Sequence, residues 1–503
     1  MVRRSLHAHS TRRQFLRQAG LASMGLFLAD EILAHPYRPV HWLLDDARHV
    51  RITGRVTVAG AGVKGAVVSD GVSVVATAAD GTYTLHSTDR HEYVFLSLPS
   101  GTEVPVNPTG TARFYQPIAP TSGDEMAASW DLRRLDGSDD RHRFLVLADP
   151  QVLDMDDVKR FQSETVSDIR EVASEEAGPL FAVGCGDLMF DRLNLFPEYE
   201  KAVAMSGVPS FQVLGNHDVV TSALSDEPSA RIFREHFGPT WYSFNRGEIH
   251  YVVLDDVLWL GRGYFGYIDD VQLNWLRQDL SFVEKGRTVV VFLHIPVYDK
   301  QHERNGETKP ENASVVVNRQ ALYKVLEGYD AHCLVGHMHE SEHLRDGGVR
   351  HHVCGAVCGA WWSADMCGDG TPNGYAVYEA SGSTLRWRYR STGKRWDHQI
   401  SVHPRGADPK RPEAVIANVW DADEAWEVTW YEDGVRAGKM ERFLGADPVT
   451  VRLFEGKTLP KKHTWVEPYQ TDHLFRAVPA AKAREVVVEA RDRFGRVYRT
   501  ALP

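Results

Sequence analysis

A chain of 503 residues is too long for one ordinary domain; at roughly 100–200 residues per domain it predicts about three. With 43% hydrophobic and 25% charged residues it has a globular composition, which excludes a disordered or low-complexity protein. Its 68 acidic against 57 basic residues give a net charge of -11, which favours solubility and leaves no basic footprint for nucleic acid.

The N-terminus reads as an export signal over residues 1–34. Arg12-Arg13-Gln14-Phe15-Leu16 precedes an apolar stretch from Ala19 to Leu28, and small residues end near Ala34. The paired arginines followed by Phe-Leu resemble the twin-arginine type of bacterial signal, which implies the twin-arginine export machinery and a periplasmic or extracellular location. The apolar core is too short for a membrane span, and no other run reaches spanning length, so no transmembrane segment is expected in the mature chain.

Residues 45–137 predict a small all-β domain. Val50 to Val58, Gly65 to Asp70 and Thr82 to Leu85 are β-rich runs separated by turn signals such as Asp70-Gly71 and Asp80-Gly81. The pattern resembles the β-sandwich of carboxypeptidase regulatory-like domains. Asp136 to Asp140 reads as a linker.

Residues 140–392 alternate strands with helical stretches at Asp156–Ser174, Gln272–Lys285 and Val317–Leu326, predicting a layered α/β fold. A hairpin-like pair is expected around Asn245-Arg246-Gly247. Beyond it, residues 395–503 return to β-rich runs, with Asp433-Gly434 as a hairpin turn, and predict a second sandwich-like domain.

Five apolar runs within 140–392 end on polar residues suited to metal binding. They close on Asp149, Asp187, Asn216-His217-Asp218, His294 and His337-Met338-His339. In open α/β sheets, sites form beyond the carboxyl ends of strands. Asp, Asn and His donors gathered at one edge suit divalent ions at a hydrolytic centre. Singly, each motif also fits a turn, a helix cap or a satisfied core histidine. Their order and repetition favour the metal reading.

This ordered set, Asp149-Pro150-Gln151, Gly186-Asp187, Gly215-Asn216-His217-Asp218, His294 and Gly336-His337-Met338-His339, resembles the calcineurin-like metallophosphoesterases. The flanking β regions resemble an exported bacterial subgroup with β modules on both sides. The resemblance implies a four-layer α-β-β-α core and two divalent metal ions, Mn²⁺ first, with Fe or Zn as alternatives. Asp187 would bridge them. Asp149, Gln151 and His339 would complete one site, and Asn216, His294 and His337 the other. A hydroxide between the metals would attack phosphorus, and His217 would protonate the leaving oxygen.

Two departures stand out. The widespread family pattern has His where this chain has Gln151, which offers a neutral oxygen and favours a harder ion. The carboxylate that orients the catalytic imidazole often lies three residues after the bridging Asp. Here that position is Phe190, so Asp191 is the expected partner of His217, with Asp218 as the fallback.

Trp361, Trp362, Asn373 and Tyr375 either line the substrate cleft or pack against the C-terminal region. Asp255-Asp256 ends another apolar run without an implied ligand role. His351-His352 are expected on the surface. Cys185 and Cys333 read as buried strand residues. Among Cys354, Cys358 and Cys367 an oxidising compartment permits one disulfide. The expected activity is hydrolysis of small-molecule or envelope phosphomonoesters or phosphodiesters. The competing reading is a cell-envelope binding protein with a degenerate phosphoesterase-like core.

Overall fold

In the computed structural model, which describes residues 47–120, 123–175 and 178–502, eleven core strands build two sheets whose inner members are buried on both faces. They run, in chain order, β1 (Arg141–Leu147), β2 (Leu180–Cys185), β3 (Ser210–Val213), β4 (Tyr242–Arg246), β5 (Ile249–Val253), β6 (Thr288–Phe292), β7 (Asp330–Val335), β8 (Glu342–Asp346), β9 (Val349–Val353), β10 (Gly374–Ser381) and β11 (Thr384–Ser391). One sheet has the order β3-β2-β1-β10-β11 and the other β4-β5-β6-β7-β9-β8. Strands β1 to β3 are parallel, as are β5, β6, β7 and β9, while β4, β8, β10 and β11 join antiparallel at the margins. The export segment expected at 1–34 lies outside the described residues.

Alternation along each strand divides its side chains between two layers. Phe144 and Val146 of β1 point into the space between the sheets, while Leu145 and Leu147 face helices. Phe181, Phe211, Phe244, Tyr251 and Phe292 meet in the intersheet layer; Phe211 stacks on Phe244 with ring centroids 3.9 Å apart. Val158, Ile169, Phe196 and Phe233 cover the outer face of the first sheet. Leu273, Trp275, Leu322 and Leu326 cover the second. The result is a four-layer α-β-β-α core.

The expected helices form, with altered limits. The first spans Met155–Glu175 but passes through a π-helical turn at Phe161–Val166. The second is helical over Asp270–Asp279, capped by Asp269, and then tightens to a 3₁₀ turn at Leu280–Phe282. The third is Arg319–Leu326.

N-terminal to this core, His49–Val58 pairs with Thr82–Thr88 in one sheet, and Val67–Ser69 with Tyr93–Ser97 in another. The module is anchored to the core by Trp275 Nε1, which donates to Ser69 Oγ at 3.0 Å, and by Trp241 Nε1, which donates to the Gly71 carbonyl at 3.0 Å. The C-terminal region forms two four-stranded sheets around Val415, Val428, Phe475 and Val488. The Asp433-Gly434 turn joins Glu427–Glu432 to Val435–Lys439 as expected.

One expectation is corrected and two open alternatives are closed. All five cysteines are free and buried, so no disulfide joins Cys354, Cys358 or Cys367. His351 and His352 are buried, because β9 is covered on both faces: His351 meets Tyr323 of a helix and His352 meets Tyr378 of the opposite sheet. Tyr375 does not line a cleft; its hydroxyl donates to Asp168 at 2.6 Å, inside the helix-sheet layer.

Candidate metal centre

The strand ends meet at one edge of the two sheets. His294 follows β6, and its Nε2 lies 3.1 Å from Asn216 Oδ1, 3.2 Å from Asp187 Oδ1 and 3.2 Å from His337 Nδ1. The donor atoms of Asp187, His294 and His337 all fall within 4.8 Å of one another. His294 Nδ1 is 3.1 Å from the Cys185 carbonyl. Donating a proton there frees Nε2 as a lone-pair donor, the usual orientation of a metal-binding imidazole.

The second group sits beside it. Asp149 follows β1; its carboxylate accepts the His337 backbone N–H, and its Oδ1 lies 3.5 Å from His339 Nε2. His339 Nδ1 is 2.9 Å from the Gly359 carbonyl, leaving Nε2 buried and, among the described residues, without a hydrogen-bond partner. Gln151 donates through Nε2 to Asp187 Oδ2 at 2.6 Å, and its Oε1 is likewise buried and unpartnered. Leaving a buried polar atom unpaired is costly. A divalent cation resolves both cases, and carboxylate, amide and imidazole donors suit one. The residues present therefore fit a metal.

Holding these groups together distorts the backbone. Among the described residues, Asp149, Gln151, Asp187, Asp191, His337 and His339 all have φ between 38° and 70°. Such left-handed conformations cost energy in non-glycine residues and concentrate at functional sites. Glycines admit the close approaches. A Cβ on Gly186, itself at φ 79°, would collide with the His294 ring, and one on Gly336 with the Asp149 carboxylate.

His217 is half-buried at the lip, with Nδ1 2.8 Å from Asp191 Oδ1. Burial opposes its protonation, but Asp187 and Asp191 outweigh that and push its pKa up to about 9. Burial likewise works against the charge of Asp187, yet His294 and His217 hold its carboxyl far below the usual range. Asp218 is occupied elsewhere. It accepts backbone N–H groups from Leu188, Met189 and Gly215, tying the two ligand loops together.

The structure adds residues that strand-end reasoning missed. Asp256 accepts from the backbone of His294 and Ile295 and fixes that loop. The Tyr264 ring packs edge-on to His337, with centroids 6.1 Å apart. Trp361 stacks on His339 at 4.0 Å. Asp255-Asp256 carried a weak signal as a strand end, and Trp361 one as a candidate cleft or packing residue; Tyr264 carried none.

Carboxylate, amide and imidazole donors gathered at one sheet edge are the donor types a divalent ion takes. Three family models cover most of the chain: the N terminal of calcineurin-like phosphoesterase at 50–135, calcineurin-like phosphoesterase at 142–341 and the C terminal of calcineurin-like phosphoesterase at 351–498. The chain belongs to the calcineurin-like phosphoesterases of this three-part organisation. No curated protein matches it.

Among solved structures, purple acid phosphatase PPD1 from yellow lupin is 13% identical, with 63% of this chain and 56% of that one covered and a TM-score of 0.38. GAP50, the anchor in the inner membrane complex of Plasmodium, gives 15%, 50% and 85%, and 0.35. A putative 5'-nucleotidase from Staphylococcus aureus gives 14%, 50% and 53%, and 0.32. The chain thus spans little more than half the length of the first and third, and the family assignment rests on the family models.

Proposed function

We propose that this chain is an exported phosphoesterase that hydrolyses phosphomonoesters or phosphodiesters at a two-metal centre. The observation that carries the reading is the convergence on His294 Nε2 of Asp187, Asn216 and His337 within 3.2 Å, with the Asp191-supported His217 beside them. Asp187 would be shared between two ions, with Asn216, His294 and His337 holding one and Asp149, Gln151 and His339 the other. When bound, divalent ions such as Mn²⁺ supply Lewis acidity and lower the pKa of water.

The protein's own groups would do the rest. With Nδ1 engaged by Asp191, His217 presents its other ring nitrogen to the departing oxygen and delivers the proton that the leaving alkoxide needs. Asp191 keeps that imidazole charged and in one orientation. Asp218 and Asp256 hold the loops in place without touching substrate.

Export rests on the twin-arginine pattern at Arg12-Arg13. No helix among the described residues is long and apolar enough to cross a membrane. The same reading places the domains at 45–137, 140–392 and 395–503, behind a signal at 1–34.

The test is hydrolysis of p-nitrophenyl phosphate and its bis-ester by Mn²⁺-loaded protein, beside His217→Ala and Asp187→Asn variants. Metal-dependent turnover abolished by Asp187→Asn supports the reading. Turnover with no phosphoester, or turnover indifferent to metal, overturns it. Replacing both Arg12 and Arg13 by Lys should block export of the full chain in a bacterial host; unchanged export would refute the twin-arginine route.

A further inference from the structure

Six aromatic rings form an unbroken arc of pairwise contacts that starts and ends at residues of the candidate metal centre. His217 packs on Phe190 with centroids 4.6 Å apart, and Phe190 meets His463 at 5.6 Å. His463 meets Trp465 at 5.4 Å, Trp465 meets Trp361 at 4.6 Å, and Trp361 stacks on His339 at 4.0 Å. The arc thus begins at the group placed to protonate the leaving oxygen and ends at a candidate metal ligand. Two of its rings, His463 and Trp465, come from the C-terminal region.

This loop is docked deliberately. Lys462 Nζ pairs with Asp154 at 3.1 Å and with Asp157, at the start of the first core helix. Ser363 Oγ donates to the Lys462 carbonyl. Phe454 and Val466 pack with Ala360 and Trp361 in a small apolar cluster of their own. His463 itself has φ 53°, a conformation few non-glycine residues adopt and one that tends to mark functional positions.

The His463 ring is also unusual chemically. Among the described residues, neither of its ring nitrogens has a protein hydrogen-bond partner, although the residue is half-buried. Burial and the neighbouring Lys462 push its pKa down to about 4, so near neutral pH it offers one donor and one acceptor. Phe190 and Trp465 are half-buried as well, leaving ring surface to cover a ligand.

We propose that Phe190, His463 and Trp465 form the leaving-group wall of the catalytic cleft, and that the C-terminal region thereby selects phosphoesters whose departing alcohol carries a flat, aromatic group. The argument is positional. A leaving oxygen protonated by His217 must carry its substituent on the His217 side of the metals, and Phe190, followed by His463, is the surface next to His217. A flat substituent gains ring contact there, and a polar edge on it finds the His463 nitrogens. A small alkyl group gains little. This inference rests on the phosphoesterase reading and deepens it by naming a substrate class.

The experiment uses non-hydrolysable probes on the full, Mn²⁺-loaded chain, so that binding is read apart from turnover. Phenylphosphonate and methylphosphonate are titrated calorimetrically into the wild type, His463→Asn and Trp465→Leu. Asn tolerates a left-handed backbone, so His463→Asn keeps the loop even where Trp465→Leu loosens it. The wild type should bind phenylphosphonate roughly three- to tenfold more tightly, the range one or two aromatic contacts supply. Each substitution should bring that ratio towards one while methylphosphonate binding stays at the wild-type value. A ratio of one in the wild type, or a ratio untouched by both substitutions, overturns the wall even if esters are hydrolysed. Failure of both phosphonates to bind, with no ester hydrolysed, overturns the phosphoesterase reading itself.

Discussion

Replacing Gln151 by leucine removes two things at once: the N–H that Asp187 Oδ2 accepts at 2.6 Å, and the buried amide oxygen that has no protein partner. A hydrogen bond to a charged group contributes about 1.5–3 kcal/mol. Here both residues are almost fully buried, at 3% and 1% exposure, so water cannot take over the contact. A loss of about 2 kcal/mol lowers the unfolding temperature of a region of 150–250 residues by about 4–8 °C. Calorimetry with chelator present reads this term alone. Metal titration then reads the second: loss of a ligand weakens its site by at least the roughly 10–100-fold seen when a supporting contact is lost. Gln151→His restores a donor atom and should recover metal binding. A Gln151→Leu protein that melts at the wild-type temperature in chelator and still binds two Mn²⁺ ions equally tightly refutes both halves of the reasoning.

The two carboxylates near His217 should respond in opposite ways. Asp191, whose side chain is 49% exposed, should lower kcat when changed to Asn with no shift in a denaturant unfolding curve. Asp218→Asn puts an NH₂ group among three backbone donors and should destabilise by about 2–4 kcal/mol, read from the same curves. Gly186→Ala forces a side chain into the His294 ring at φ 79°, and metal analysis of the purified variant should find fewer ions per chain than in the wild type. Four buried imidazoles should each lend less stability in mild acid. Burial pushes His142 and His351 down to about 4 and His332 to about 3, with His352 lowered too. The unfolded chain takes up those protons below about pH 6.5, whereas the folded protein resists until its own lower values. The contribution of each is therefore full above that pH and declines as pH falls through it; His332→Phe should lose less of its guanidinium midpoint than the wild type between pH 8 and pH 5, and an equal change in both would contradict this.

The layered core was readable because its strands are long apolar runs, and a run such as Val289 to Phe292, buried throughout, has no other easy explanation. The candidate donors stood out for the same reason: each stands where such a run stops. What sequence periodicity could not supply was burial on the second face. His351 and His352 do point to opposite sides, as alternation requires, but both sides are covered. Nor do neighbours in sequence indicate contacts across the fold. Trp465 reaches Trp361 and Lys462 reaches Asp157, a separation of 305 residues, through docking of one sandwich against the core. Nor does spacing along the chain show which side chain reaches the His217 ring: between left-handed turns at Asp187 and Asp191, Phe190 packs on that ring and Asp191 meets its Nδ1.

The most direct test of the account is Mn²⁺ stoichiometry of the reconstituted chain, measured together with hydrolysis of p-nitrophenyl phosphate, in wild type and Asp187→Asn. The account predicts two ions per wild-type chain and metal-dependent turnover, both lost when the shared carboxylate is removed. Fewer than one ion per wild-type chain, or turnover that persists undiminished in Asp187→Asn, would contradict it.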